Sequence, residues 1–571
     1  MGYINTISGN TPGLYVESLT FNNGESIGLK KDDIVVFVGP NNVGKSQSLK
    51  DIYACITNQK FKTVIKDVSL TLQNSANDEE YIKGYSTITT DPNTSYLYSG
   101  LNYRIYGYHL ADHKLKKEYT SEISKFFVNE LKTDNRLSIV NPPNLLSEGM
   151  PSSHPIHDIK SQPQLRVKLS DYFHKVFGSH ITPGFDSIKI PLYLGDLIKL
   201  EGNYADEQSR QEEYKKRLAK LPMLHEQGDG MRSFTGILLN LLIPNFSCFL
   251  IDEPESFLHP PQAKILGQIF NETLTENKQL FIATHSQEFL KGLIETNPNR
   301  VKIIRITRKE DLNNVKLLDN EMLKSIWSDS LLRYSNIIDS VFHENTVVCE
   351  SDSDCRLYSL ILDHLKSKAG NPNNTLFIYC GGKQRFPIVG NALKTLGVEF
   401  RIIPDLDILN DENLIKTLYK ICGGNWDIIK AKYNAVVAGV KTLDKPTLLK
   451  DQKDKIEEIF KKYEEEGIRE LNKKQLEELR GSIYELRGWS LLKKSGISVL
   501  PNGDAQAAFT ILNKQLKEEG IHLPLVGELE NFIPTVGGHG PCWVEKVINM
   551  YPDLEEECYD AIKEFVQNLG L

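Results

Sequence analysis

Short apolar runs rich in β-branched residues punctuate the chain: Ile34–Val38, Cys248–Ile251, Phe281–Ala283, Thr346–Cys349, Leu376–Cys380 and Glu399–Ile403. Runs of this length, most with no polar alternation, predict strands covered on both faces, as in a parallel sheet between layers of helix. Leu14–Leu19 predicts a strand leading into the first of them. Residues 60–110 differ. They are rich in Thr, Tyr, Ser and Ile, with stretches such as Tyr96-Leu97-Tyr98 and Tyr103–Tyr108, and predict antiparallel strands. Helical spacing marks Ser46–Ile56, Ser121–Lys132, Gln164–Phe177, Phe234–Leu242, the stretch from Asp354 through Leu365, and Phe386–Leu396, with proline-broken loops over 142–163. Asp206–Leu221 is polar almost all round, so it predicts a solvated or partner-facing helix, and the charge run Gln452–Leu479 predicts a solvated helical insertion with lysines and arginines free to touch a DNA backbone. The strand–helix alternation restarts near residue 343. It predicts two α/β domains: 1–335 with an insertion at about 111–220, and 343–571 with a helical insertion at about 409–520.

The apolar runs end in chemistry. Ile34–Val38 leads into Gly39-Pro40-Asn41-Asn42-Val43-Gly44-Lys45-Ser46 and then a helix. Strand, glycine loop and helix make the context of a phosphate-binding loop. Gly39 and Gly44 let the backbone N–H groups of the loop, those at Asn41 and Asn42 included, crowd round phosphates at a helix N-terminus. Lys45 would reach the β- and γ-phosphates of ATP, and Ser46 would hold Mg²⁺. Cys248–Ile251 ends in Asp252-Glu253-Pro254-Glu255; Asp252 would hold the same ion through water, and Glu253 would polarise the attacking water. Phe281–Ala283 ends at His285, at the spacing of the next parallel strand, where the imidazole would sense or stabilise the γ-phosphate. Gln227-Gly228-Asp229-Gly230-Met231-Arg232-Ser233 opens the apolar helix Phe234–Leu242, and glycines at a helix start offer a second anion site.

In this order the motifs resemble an ABC-type P-loop ATPase head of the SMC and recombination-repair kind. The resemblance implies ATP sandwiched in a homodimer or a higher even oligomer, with Gly230 and Ser233 of one subunit capping the nucleotide of the other. Gly228-Asp229-Gly230 with Ser233 stands where that family has a Ser-Gly-Gly run, and no long coiled coil interrupts the chain.

In the second half, carboxylates gather where open α/β sheets bind ligands, at the C-terminal ends of strands. Glu350 and Asp354 follow Thr346–Cys349, and Asp405 and Asp407 follow Glu399–Ile403. Ligands of this oxygen-only kind suit one or two Mg²⁺ (or Mn²⁺) ions flanking a scissile phosphate. Asp405 and Asp407 share one side of an extended chain. Asp-x-Asp alone is ordinarily a pair of solvated loop acids; a glutamate at a neighbouring strand end favours the metal reading. The strand-like Ile521–Val526 ends near Glu528 and Glu530, either of which would complete the set, and His539 or Lys546 would give the positive group that a cleaved phosphate needs. This half resembles a Toprim domain, the metal-binding fold of topoisomerases, primases and some nucleases, with Ser351 where that family has glycine. An ABC-type head followed by a Toprim domain resembles the OLD (overcoming lysogenization defect) family of ATP-dependent endonucleases. Many of these belong to bacterial anti-phage defence, including Gabija-type and retron-associated systems, the latter being the expected setting here. The resemblance implies an ATP-regulated, Mg²⁺-dependent DNA endonuclease with a defence-system partner chain or nucleic acid. The alternative is an SMC-type ATPase whose second domain binds nucleic acid without cutting it.

Composition narrows the classes further. The 571 residues, 40% hydrophobic and 25% charged, are those of an ordinary globular protein of several domains. A net charge of −8 excludes a basic nucleic-acid coat, so DNA contact must use local basic patches or metal ions bridging carboxylates to phosphates. The eight cysteines form no C-x-x-C pair, which argues against a zinc site or a disulfide framework and for a reducing compartment. No apolar run reaches the ~18 residues of a membrane span, and the N-terminus lacks a basic region followed by an apolar one. The expectation is a cytoplasmic protein with no membrane partner.

Overall fold

The computed structural model describes residues 12–59, 62–73, 78–91, 94–99, 104–110, 121–147, 152–184, 188–200, 206–242, 246–273, 277–318, 324–326, 328–329, 336–444, 449–483 and 486–571. The N-terminus read for a leader, the first ten residues of the expected insertion and the expected domain boundary at 335 lie outside the described residues. The chain divides into two compact units, 1–328 and 329–571.

In the first unit, four strands run parallel side by side in the order Ile34–Val38, Gln279–Ala283, Cys248–Asp252 and Val128–Leu131. Val301–Lys309 adds in parallel on the other side of Ile34–Val38, and Leu312–Leu318 closes that edge antiparallel. Every residue of Ile34–Val38 and of Gln279–Ala283 is buried, which is why Ile34–Val38 and the stretch from Leu280 to Ala283 read as unbroken apolar runs. The strand bearing the phosphate loop and the strand ending at the carboxylates both pair with Gln279–Ala283, so the three nucleotide motifs emerge at one sheet end. A separate antiparallel sheet joins Ser26–Gly28, Gly13–Phe21 and Ile65–Gln73; the tyrosine-rich stretch forms a third, of Thr87–Asp91, Thr94–Ser99 and Arg104–Tyr106.

Several expectations are corrected here. Ser121–Lys132 is helical only as far as Phe127; Val128–Leu131 is the edge strand beside Cys248–Asp252. A free sheet edge and the burial of Val128 and Leu131 override the helical look of the sequence. Within the proline-broken stretch 142–163, Pro155–Ser161 is a helix, started by proline in its first turn and capped by the His154 ring. The helix expected from Phe234 begins at Asp229, so Gly230 and Ser233 lie inside it. Gln452–Leu479 is two helices, Leu449–Glu465 and Lys473–Ile483, interrupted around Gly467 at φ +70°. Ile521–Val526 is no strand; it makes a single parallel bridge from Ile521 to Ile402.

The second unit is built on three parallel strands with the first in the middle: Thr375–Tyr379, Asn345–Cys349, Glu399–Ile403. The helices Asp352–Lys368 and Phe386–Thr395 provide the crossovers. The chain leaves the central strand to one side and returns on the other. That reversal opens a crevice at the C-terminal ends of Asn345–Cys349 and Glu399–Ile403. Val347, Cys349, Leu357, Ile361 and Trp543 pack beneath it. Among the described residues, no helix of either unit is long and apolar enough to cross a membrane.

Candidate functional site

In the first unit the phosphate loop has the backbone its glycines predict. Gly39, Asn42 and Gly44 take φ of +148°, +62° and +98°. A Cβ on Gly39 would lie 2.1 Å from the Ile306 carbonyl oxygen, and one on Gly44 2.6 Å from Val64 Cγ2, so space as well as conformation requires glycine. Lys45 Nζ donates to the carbonyls of Gly39 (2.7 Å) and Pro40 (2.6 Å), folding the side chain over the loop. Burial lowers its pKa to about 8, against the opposing pull of Glu253 and Asp252. Ser46 Oγ donates to Asp252 Oδ1 at 2.9 Å, bringing together the two residues expected to share Mg²⁺. The cradle and its donors fit the phosphates of a nucleotide, and the Ser46–Asp252 pair fits the hydrated ion that accompanies one.

Glu253 stands at φ +45°, a left-handed backbone that costs a non-glycine residue roughly 1–3 kcal/mol. Its N–H donates to the Ala283 carbonyl at 2.8 Å, and its Oε1 lies 3.7 Å from His285 Nε2. Burial, followed by the neighbouring Lys45 charge, keeps the His285 pKa below its ordinary value, so the imidazole is neutral near pH 7. Glu255, given no role from the sequence, fixes His285: its Oε1 accepts from Thr284 Oγ1 (2.7 Å) and from the His285 N–H (2.9 Å). The second acid of Asp-Glu-Pro-Glu was the available signal. The glycine-helix motif is placed differently from the expectation. Gly230 is a glycine because the Phe257 carbonyl oxygen would be 2.6 Å from its Cβ, and Ser233 is fully buried with no partner for its Oγ. As packed, Ser233 presents nothing to the nucleotide of another subunit.

In the second unit Glu350, Asp405 and Asp407 converge: one carboxylate oxygen of each lies within 4.8 Å of the others. Glu350 follows the central strand and Asp405 its neighbour, whose ends Cys349 and Ile403 are in register, so the topology itself brings them together. Asp407 joins them by a different route from the expected one. The chain is not extended after Asp405 but turns into the short 3₁₀ helix Leu406–Asn410. Glu350 Oε2 and Asp407 Oδ1 are buried with no hydrogen-bond partner, the signature of oxygens that want a cation. Burial drives the Asp405 pKa up to about 7, with Lys493 pulling the other way, and burial raises Glu350 as well. The donor set is all oxygen and fits Mg²⁺ or Mn²⁺.

Asp354 is not in this trio. Its Oδ2 accepts from the Ser351 N–H (2.8 Å) while its own N–H donates to Ser351 Oγ (3.4 Å), the capping box of the helix Asp352–Lys368, and Oδ2 accepts from that Oγ as well (2.9 Å). Ser351 thus has a structural use as the N-cap of that helix. Glu528 and Glu530 group with His539 as a second cluster. Glu530 Oε1 accepts from the Gly540 N–H at 2.9 Å and lies 3.4 Å from His539 Nδ1, while Glu528 pairs with Lys494 at 3.2 Å. Lys546 reaches only the Gly537 carbonyl, at 3.3 Å. The positive groups at the trio are others: Lys493 Nζ lies 2.7 Å from Asp405 Oδ2, and Lys383 Nζ 2.7 Å from Asp407 Oδ2. Lys383 follows two glycines at the end of Thr375–Tyr379, where position hinted at a role; Lys493 sits in the helix Gly488–Ser495, inside the stretch expected to be a solvated insertion.

Residues 134–291 match the family model described as an AAA domain, putative AbiEii toxin, type IV toxin–antitoxin system. That span contains Asp252, Glu253 and His285. The Old nuclease of Escherichia phage P2 is 21% identical over 313 residues, 54% of this chain. The chain is similar to the OLD-family ATPases. The matched stretch spans about half of that relative's own length, 48%. Among solved structures, the SMC head domain from Thermotoga maritima is 12% identical and aligns over 53% of this chain and 97% of its own, with a TM-score of 0.28. A Pyrococcus furiosus Smc head bound to the C-terminal domain of ScpA is 11% identical over 55% of this chain and 99% of its own, at 0.31.

Proposed function

We propose that the chain is an ATP-hydrolysing, Mg²⁺-dependent DNA endonuclease that works as a homodimer or higher even oligomer in cytoplasmic anti-phage defence, alongside a partner chain or nucleic acid. The observation that carries the nuclease is the crevice where Glu350, Asp405 and Asp407 meet, with two buried carboxylate oxygens that accept no hydrogen bond. Mg²⁺ bound there would lower the pKa of a water and draw charge from a phosphodiester. The carboxylates orient that chemistry, and the ammonium groups of Lys493 and Lys383 stand within reach of the negative charge that builds on a cleaved phosphate. In the first unit, Lys45 and the loop amides bind the phosphates, Ser46 and Asp252 hold the ion, and Glu253 with His285 orients the attacking water. Nucleotide state would then govern cleavage.

The test is nicking of supercoiled plasmid with Mg²⁺ or Mn²⁺, with and without ATP, by wild type, Asp405→Asn and Lys45→Ala. Cleavage lost in Asp405→Asn supports the nuclease. Lys45→Ala should abolish ATP turnover and change the ATP response of cleavage. Equal cleavage by wild type and Asp405→Asn overturns the assignment. A wild type that binds plasmid and turns over ATP yet cuts under no condition favours the reading in which the second domain binds nucleic acid only.

A further inference from the structure

Arg136 has no place in the chemistry described so far, yet it is fully buried against Glu253, which stands in the left-handed region. The edge strand Val128–Leu131 ends beside Ile251, and the helix Thr133–Ser138 then carries Arg136 under the turn that follows Asp252. Nη1 donates to the Glu253 carbonyl at 3.0 Å, Nη2 donates to Thr133 Oγ1 at 2.9 Å, and Nε has no partner. The backbone there is equally committed: the Arg136 carbonyl oxygen would lie 2.0 Å from a Cβ on Gly236, in the helix Asp229–Leu242. A buried guanidinium stays charged, and the carboxylates of Glu255, Asp252 and Glu253 are the charges that compensate it.

Three hydrogen bonds hold the Glu253 main chain. On one side its N–H is held by the Ala283 carbonyl, a main-chain bond that no side-chain substitution removes. On the other its carbonyl accepts from Arg136 Nη1 and, also at 3.0 Å, from the Ser256 N–H of the same turn, so Arg136 supplies the one side-chain bond of the three. We propose that Arg136 is a positioning residue for Glu253: together with Ser256, whose Oγ donates to Glu253 Oε2 at 3.2 Å, it holds the left-handed turn after the Cys248–Asp252 strand and so keeps the Glu253 carboxylate beside His285. Arg136 touches no phosphate-loop residue in the hydrogen bonds it makes, so it acts on the water-orienting group and not on nucleotide binding. The claim rests on the reading of the first unit as an ATPase.

The experiment is steady-state ATP hydrolysis by the full chain, wild type against Arg136→Met and Arg136→Lys, with nucleotide affinity measured separately by fluorescent-ATP titration. Misplacing a water-orienting carboxylate by an ångström is expected to lower kcat about 100-fold. Arg136→Met should show that loss with ATP affinity within about twofold of wild type, as an effect on Glu253 and not on binding requires. Arg136→Lys, which keeps the charge and one donor to the carbonyl, should recover about tenfold of it. An unchanged kcat, or a loss carried by ATP affinity, overturns the proposal. Should Arg136→Met fail to fold by its melting curve, Thr133→Val, which removes only the Nη2 anchor, should lower kcat about threefold with affinity unchanged; no change in kcat overturns the proposal. Absence of turnover in wild type overturns the ATPase reading along with it, whereas turnover in wild type that the variants share overturns the role of Arg136 alone.

Discussion

Lys493 lies 2.7 Å from Asp405 and 4.0 Å from Asp407, which makes it both a partner of the carboxylates and a competitor for them. Burial works to lower its pKa, but Asp405, Asp407 and Glu350 hold it above the ordinary lysine value. Replacing it by methionine keeps the length and removes the charge. Plasmid cleavage by Lys493→Met should fall about 100-fold, the size of effect seen when a charge-stabilising donor is lost. Mn²⁺ binding to the same variant, followed by titration calorimetry, should tighten because the competing cation is gone. Weaker Mn²⁺ binding would show that the ammonium assembles the site. Sequence reasoning found the three carboxylates because strand ends are visible in an apolar pattern. It could not find Lys493 or Arg136, whose contacts come from tertiary placement of charged side chains in stretches that look like solvated helix or loop.

Among elements, the helices Pro260–Thr273 and Gln287–Thr296 follow the carboxylate strand and the His285 strand and cross at two glycines. A Cβ on Gly267 would lie 2.3 Å from the Phe289 carbonyl oxygen, and one on Gly292 2.0 Å from that of Lys264. Alanine in place of a helical glycine normally stabilises by about 1 kcal/mol. Here the clash is with backbone, which cannot rotate away, so Gly292→Ala should instead destabilise by about 1–3 kcal/mol, read as a lower urea midpoint. A midpoint at or above wild type would mean that the helices part without cost. Elements with a clear period were legible. Ile34–Val38 and Thr346–Cys349 lie within a residue or so of where the pattern put them. Val128–Leu131 was not legible, because Asn129 and Glu130 give an edge strand the look of a helix and only pairing with Cys248–Asp252 reveals it.

Taken over each unit, acid should act through buried histidine as well as through the carboxylates. His522 is 4% exposed, both its ring nitrogens lack partners, and burial, with Arg401 and Lys517 adding to it, lowers its pKa to about 4. The unfolded chain takes up this proton near the ordinary value of 6.5 and the folded chain only near 4, so stability falls as pH drops through that window. The full loss attributable to the one group is about 3 kcal/mol. Urea midpoints from pH 7 to pH 4 should therefore fall less steeply for His522→Gln than for wild type; parallel slopes would refute this. Two α/β units were legible from the restart of the strand pattern, whereas the antiparallel sheets and the turn joining Asp405 to Asp407 depend on contacts that no local pattern encodes.

Each sheet is closed within its own stretch of sequence: the six-stranded sheet ends with Leu318, and the three-stranded sheet begins with Asn345. A gene carrying this arrangement can recombine at one point between those residues without cutting a strand ladder of the described residues on either side. The same first unit could thereby be inherited with a different second unit, and the same second unit with a different first. Shuffling at this junction is a short evolutionary step, and chimaeric libraries built there should yield folded proteins far more often than libraries joined within either sheet.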